Sequence, residues 1–527
     1  MSETSEVIVV GAGHNALTAG AYLAAAGVQV LVLERKDWVG GGVVTHELTR
    51  PGFKHDPHST GHIFIQANPM ILNDELKLMG QFGLEYVQSP CYFTSVYPDG
   101  SALQTFGSLD ETCASIARFS KKDADTYRAF VTKSEKFLPM FAMGLYNPPA
   151  PFGSFMAFLE QSAEGREMIG DMLRSAYDIV TSLFENERVQ MHFVRWASEA
   201  MVSPETKGTG SALFLMSSFT HKYNAKLPKG GSGMLSEALR SSIEHNGGRV
   251  VTGADVSKLI VSGGRATGVK LTDGRTFTAK KAVIAGVHPY RLDDFVDGKL
   301  DAGLKQKLRA VKSSDYAAMN THYALNAAPT YRADIDVSQS FAVEAQPSTM
   351  AELRHLFDDL RYGKVPDHLS VLSICTSNPD PTRAPPGKAT LYLYSFMPYN
   401  LAEGGAKRWD EIKDRTADRM LESLRGFATN MDDSNIIARY VESPLDFERT
   451  SDSFQCGDIM GCGMYLDQYM GRRPTPEIAN YTVPGIPGLY LVGPFMHPGG
   501  GVIGGGRPVA IKIMADLGIS SKGLIST

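Results

Sequence analysis

The stretch from residue 7 to residue 34 constrains this chain more than any other. Residues 7–10, VIVV, form a continuous β-branched run, the pattern of a parallel strand buried on both faces. Gly11 ends the run, and GAGHNA from Gly11 to Ala16 fits G-x-G-x-x-G/A. In that pattern the first glycine makes a tight turn and the second lets backbone approach a pyrophosphate. A small third residue permits close helix-to-strand packing. Small residues and helix formers from Asn15 to Ala26 predict a helix whose N-terminal amides face a phosphate, with Gly27 as its C-cap. Gly11, Gly13, His14, Asn15 and Ala16 are therefore candidate cofactor-binding residues. The next run, VQVLVLE, reads as a second parallel strand ending in Glu34, 21 residues after Gly13. That is the spacing of a carboxylate that accepts a ribose hydroxyl.

Beyond the acid come Arg35 and the triplet Gly40, Gly41 and Gly42. With these residues the chain resembles the phytoene desaturase-related branch of the flavin amine oxidase superfamily, whose members carry a glycine pair shortly after the ribose-binding glutamate. The resemblance implies FAD, with Arg35, Gly41 and Gly42 beside it. Two distant segments carry it further. Residues 227–286 read as an αβ unit with Gly231 and Gly233 near its start and a hairpin turning at Asp273-Gly274. The resemblance places the backbone at Val256 against the adenine. Residues 489–492, LYLV, read as a buried strand ended by Gly493; a glycine-dense turn follows through His497, Gly499–Gly501 and Gly504–Gly506, then a helix over 508–517. This resembles the family's HPGGG flavin motif and implies that Gly493, Gly500, Gly501 and Val502 hold the isoalloxazine. The C-terminal flavin segment has no cysteine, so the FAD is expected to be noncovalent.

Because the nucleotide-binding pieces sit at both termini and in the middle, the domains must interleave. The expected fold class is α/β: a Rossmann-like FAD-binding domain (1–70, 226–300, 476–527) interleaved with an α+β substrate domain (71–110, 301–475) and a helical lid region (111–225). Strands are expected at AAMNTHYAL, HLSVLSICTS and ATLYLYSF, and helices at MAELRHLFDDL and DEIKDRTADRMLESLRGFA. The NPPAP break at residues 147–151 is flanked by Phe137, Met140, Phe141, Met143, Phe152, Phe155, Met156 and Phe158. Such a stretch suits a substrate gate or a membrane-dipping lip, and equally a core helix pair joined by a proline turn.

Net charge −5 gives no footprint for nucleic acid. The five cysteines include no CxxC pair, so neither a disulfide framework nor a metal site is expected. No signal-peptide pattern and no apolar run long enough to span a bilayer are found, which predicts a cytoplasmic protein and leaves a peripheral membrane contact open.

Flavin oxidation of carbon needs a hydride path and a place for the accompanying proton. His497, preceding the flavin glycines, is the preferred catalytic candidate. PGFKHDPHSTGHIF adds His55, Asp56 and His58, with His62 close by, on a stretch that in the family leads from cofactor to substrate. Arg507 is a candidate to orient a carboxylate or the flavin, and His288 to line the domain's edge. The expected activity is dehydrogenation or desaturation of a sizeable apolar or aromatic molecule, with oxygen, a quinone or another acceptor taking the electrons. The substrate class comes from the resemblance. Amine oxidation and a nonredox carrier of the same architecture, like the prenyl-protein escort proteins, are the alternatives.

Overall fold

The strand Glu3–Val10 forms the centre of the first sheet, pairing in parallel with Val30–Leu33 on one side and Thr276–Ala285 on the other. The computed structural model describes residues 3–521 and 523–526; residues 1, 2, 522 and 527, which fall in the first and last expected segments, lie outside that description. Arg249–Val251 extends the parallel set beyond Val30–Leu33, and Leu489–Leu491 joins it beside Thr276–Ala285. Thr276–Ala285 changes character along its length. Its first half alternates exposed and buried residues where it faces the antiparallel strand Arg265–Leu271; its last four residues are all buried, where parallel partners flank both edges. Val256–Ser262 completes the seven strands.

The helix His14–Ala25 packs between Gly233–His245 and Gly506–Leu517. At the second contact the chain ends meet closely: a Cβ on Gly506 would lie 2.0 Å from the Asn15 carbonyl oxygen and 2.5 Å from the Ala19 nitrogen.

A second seven-stranded sheet runs in the order Ile436–Glu442, Ala317–Leu325, Ala389–Met397, Val371–Ile374, Ser340–Ala345, Cys91–Val96, Ala102–Phe106. Only the pairing of Ser340–Ala345 with Cys91–Val96 is parallel. Helix Trp409–Phe427 covers one face. The other face packs against the helices between Leu109 and Tyr223. The three strands and two helices expected in 301–475 occur at those places; the strands at 91–96, 102–106, 340–345 and 436–442 were not expected. Leu76, Leu78, Leu84, Leu304 and Leu308, expected with the substrate domain, pack instead into the first core.

The NPPAP break separates helix Lys121–Tyr146 from Phe152–Leu159. Its apolar residues divide: Phe141, Leu145 and Leu159 are buried, whereas Met143 and Phe158 are 66% and 59% exposed. Among the described residues no helix is long and apolar enough to cross a membrane.

Replacing Gly506 with alanine forces a methyl group into backbone and should cost about 1–3 kcal/mol, seen as a lower thermal unfolding midpoint. An unchanged midpoint would show that the two helices part without penalty.

Candidate active site

The carboxyl ends of the parallel strands converge on a cavity of about 460 Å³, within the range of small-molecule sites. Every cofactor-binding candidate lines it: Gly11, Gly13, His14, Asn15 and Ala16; Glu34 and Arg35; Gly41 and Gly42; Val256; Gly493, Gly500, Gly501 and Val502. The two leading glycine loops are locked together. Gly40 N–H donates to the Ala12 carbonyl (2.7 Å) and His14 N–H to the Gly40 carbonyl (3.2 Å). Gly41 has φ +62°, and a Cβ there would sit 3.1 Å from Gly13 Cα, so only glycine fits without strain. The third loop is tied in by Gly505 N–H donating to Asn15 Oδ1 at 3.0 Å. Helices His14–Ala25 and Gly506–Leu517 thus both begin beside the cavity, the arrangement that favours negative charge.

Glu34 is oriented by two backbone donors, Ala12 N–H (2.7 Å) and Lys36 N–H (2.9 Å). Arg35 is paired with Asp452 at 2.9 Å.

The catalytic candidates fare differently. Only His58 is among the lining residues. Its ring packs edge-on against Phe447 (4.9 Å) and Phe454 (5.1 Å), and among the described residues neither ring nitrogen has a hydrogen-bond partner. His55 is spent on Thr49 Oγ1 (2.8 Å) and an edge contact with His322. Asp56 is fully engaged in a buried ion pair, accepting from the Arg383 guanidinium (2.6 and 3.0 Å), Thr45 Oγ1 (2.6 Å) and Ser232 N–H (3.0 Å). His497 donates through Nε2 to the Gly144 carbonyl at 2.9 Å and is not in the cavity wall. Local sequence puts these three beside the glycines, but His55 Nε2, the Asp56 carboxylate and His497 Nε2 are engaged within buried structure, while His497 Nδ1 has no hydrogen-bond partner among the described residues. Arg507, read as a carboxylate or flavin partner, is held by both oxygens of Glu75 at 2.8 Å. His288 does line the cavity, with Nε2 donating to the Gly461 carbonyl at 2.7 Å.

Three features fit these residues to a bound dinucleotide. A Cβ on Gly13 or on Gly501 would meet nothing within 4 Å, so both glycines leave open space at the helix starts. The buried His14 Nε2 has no partner among the described residues, nor have the two His58 nitrogens. The acid at Glu34 stands at the end of the second strand, facing the same space. No cysteine is among the lining residues.

Away from the glycines the wall is aromatic and aliphatic, with Tyr92, Phe93, Trp196, Leu215, Phe341, Leu372, Ile374, Tyr392 and Tyr394. The sequence reading missed all of these. A signal was present in ATLYLYSF, where Tyr392, Tyr394 and Phe396 alternate with Leu391 and Leu393, but either face could have turned inward. Glu199 also lines this region.

A family model described as flavin containing amine oxidoreductase matches residues 17–438. The mouse pyridine nucleotide-disulfide oxidoreductase domain-containing protein 2 is 29% identical over 97% of this chain and 94% of its own length. A component of the limonene dehydrogenase of Castellaniella defragrans is 26% identical over 99% of this chain and 96% of its own. The crystal structure of an oxidoreductase from Methanosarcina mazei matches the fold with TM-score 0.63 at 16% identity, over 97% of this chain and 99% of that one.

Burial pushes the pKa of His55, His58, His62 and His192 from 6.5 down to about 3, and that of His14, His288 and His497 to about 4. These rings are neutral in the folded protein. Below pH 6.5 the unfolded chain therefore binds more protons than the folded one, and stability falls by about 1.4 kcal/mol per histidine per pH unit until the folded values are reached. Denaturant midpoints should hold steady above about pH 7 and drop steeply between pH 6.5 and about pH 5. A flat profile across that window would contradict the buried, neutral assignment.

Proposed function

Since the chain belongs to the flavin containing amine oxidoreductase family and is an FAD-dependent oxidoreductase, we propose that it dehydrogenates or desaturates a sizeable apolar or aromatic molecule. The observation that carries this reading is the continuity of one cavity from the glycine loops to a wall of Tyr92, Phe93, Trp196, Phe341, Tyr392 and Tyr394. Such a wall binds by area and ring contact and excludes water. That the relative from Castellaniella defragrans is named for dehydrogenation of limonene, a hydrocarbon, supports the same class.

When bound, FAD supplies a two-electron acceptor. The chain's own residues would hold it noncovalently: Glu34 would accept from the ribose hydroxyls, the starts of helices His14–Ala25 and Gly506–Leu517 would serve the phosphates, and Gly493, Gly500, Gly501 and Val502 would serve the ring system. His58 lines the cavity with neither ring nitrogen partnered among the described residues, so we assign it hydrogen bonding to the cofactor. Oxygen, a quinone or another acceptor would take the electrons onward. The exposed Met143 and Phe158, on the helices flanking the proline break, suit a peripheral membrane contact through which an apolar substrate arrives. Amine oxidation is the second reading, favoured by the carboxylate of Glu199 in the aromatic wall.

Purified protein should show flavin absorbance, and anaerobic addition of a terpene or aromatic hydrocarbon should bleach it. Readmitted air then restores the bands within seconds for an oxidase and slowly for a quinone-coupled enzyme. Flavin that no such compound reduces, while an amine does, would replace the desaturase reading with the amine one. Glu34→Gln should weaken FAD binding by about tenfold to a hundredfold, the worth of a hydrogen bond to a charged group. His58→Ala should weaken it less and leave an intact fold; unchanged FAD affinity in both variants would remove these assignments.

A further inference from the structure

The lining residues contributed by the helical region and the second sheet include a single charged side chain, Glu199. It stands on the turn Ser198–Ala200, which extends the helix Glu187–Ala197. Met201 then takes a left-handed conformation (φ 60°, ψ 20°), ending that extension just beyond the carboxylate. Behind Glu199 lies a buried support. Arg195, 1% exposed, donates to Glu199 Oε1 at 2.5 Å and pairs with Glu344 Oε2 at 2.9 Å, while its guanidinium lies over the Phe396 ring at 4.3 Å. Glu344 is fully buried and accepts from Ser370 Oγ.

Arg195 is therefore shared between two carboxylates, and it reaches Glu199 through one oxygen. Among the described residues no hydrogen bond reaches the other oxygen, Oε2, and the side chain is 28% exposed where it lines the cavity. Tyr92, Tyr392 and Tyr394 share this lobe. Burial chiefly, with the Glu199 charge adding to it, raises their phenol pKa values, so they face the cavity as neutral hydroxyls and ring faces. Taking the Arg195 guanidinium and the Glu344 carboxylate out of water is costly, and a purely packing role for this lobe is met by apolar side chains of similar volume. A carboxylate with an unfilled acceptor among aromatic rings matches a ligand group that donates hydrogen bonds and tolerates or carries positive charge.

We propose that Glu199 anchors the head group of the substrate, an ammonium or a hydroxyl on an otherwise apolar or aromatic body, and that Arg195 is its positioning residue. The inference rests on the dehydrogenase reading only in taking this lobe as the substrate's. The substrate is then an amphiphile whose head lies at Glu199 and whose hydrocarbon body lies against the rings of the wall.

Head groups can be compared on one body without turnover, using 4-phenylbutylamine, 4-phenylbutan-1-ol and 4-phenylbutyrate on the oxidised holoenzyme. Binding is read from the flavin spectrum and from tryptophan fluorescence, to which Trp196 of the lobe contributes alongside Trp38 and Trp409. The amine or the alcohol should bind at least about tenfold tighter than the carboxylate, the discrimination expected where one head pairs with a cavity-lining carboxylate and another is repelled by it. Glu199→Gln should remove most of that preference. If the amine alone loses affinity the head is an ammonium, and if the alcohol falls in parallel it is a hydroxyl. Equal binding of all three probes to the unaltered enzyme, or an order of affinities that survives Glu199→Gln, overturns the proposal. The wild-type comparison stands even where the variant does not fold. Head-group preference without flavin reduction by any compound would remove the dehydrogenase reading and leave this site in place.

Discussion

Backbone meeting backbone holds the cofactor end of this protein together. Gly41 lies against Gly13, and Gly506 against the carbonyl of Asn15, at separations that leave no room for a Cβ without displacement. The second contact joins segments 490 residues apart, as the bond from Gly505 to Asn15 makes plain. The cavity comes into being only when the first loop, the Gly40–Gly42 turn and the C-terminal glycine turn have all docked. Contacts of such sequence separation must overcome the entropy of closing a very long loop, so the helices and strands behind them have to supply the apolar burial that makes closure favourable. Continuous burial of residues 7–10 and of Val30–Leu33 does this for the first sheet.

Buried arginines then fix the two layers of structure against each other. Arg383 ties Asp56, beside the first glycine loops, to the second sheet's connecting segment. Arg507 ties the last helix to Glu75 and to the Tyr146 carbonyl at the end of the longest helix. Arg473 donates to the carbonyls of Met460, Cys462 and Pro494, joining the loop before it to the flavin-side turn. Because desolvation offsets much of the attraction in such pairs, their value is in geometry: removing one partner costs about 3–5 kcal/mol, whereas replacing the pair with well-packed apolar groups is close to neutral. Asp56, a catalytic candidate in the sequence, takes part in one such pair.

The result is one cavity with two chemistries. At one end, glycine backbone and two helix N-termini present donors and open space, and the oriented Glu34 carboxylate presents an acceptor, the set that the proposed dinucleotide site requires. At the other, rings from both the helical region and the second sheet present apolar surface, interrupted by Glu199. Burial keeps the intervening histidines neutral, so His14 and His58 offer hydrogen bonds without adding charge.

The nucleotide end was legible in the sequence because its requirements are local. A β-branched run, a glycine turn, a helix start and an acid at fixed spacing act within about 30 residues, and small residues are demanded wherever backbone approaches a ligand. The C-terminal glycine turn was legible for the same reason. The aromatic end was not, since its wall is assembled from strands whose order runs 317–325, 389–397, 371–374, 340–345 and 91–96. Alternation in ATLYLYSF told that Tyr392 and Tyr394 share a face; only sheet pairing and the helices packed on that face decided that it looks into the cavity. Likewise the motif around His55, Asp56 and His58 set three polar groups in a row, and tertiary structure sorted them. Arg383 and Thr49 claimed two, while the third was turned toward the cavity with its nitrogens open. The sequence by itself determined where the glycine loops that line the cavity are built, because that depends on turns and spacing along the chain. Which side chains face the aromatic end of the cavity was decided by tertiary structure alone, because a side chain's exposure to a cavity depends on what distant segments pack against its other side.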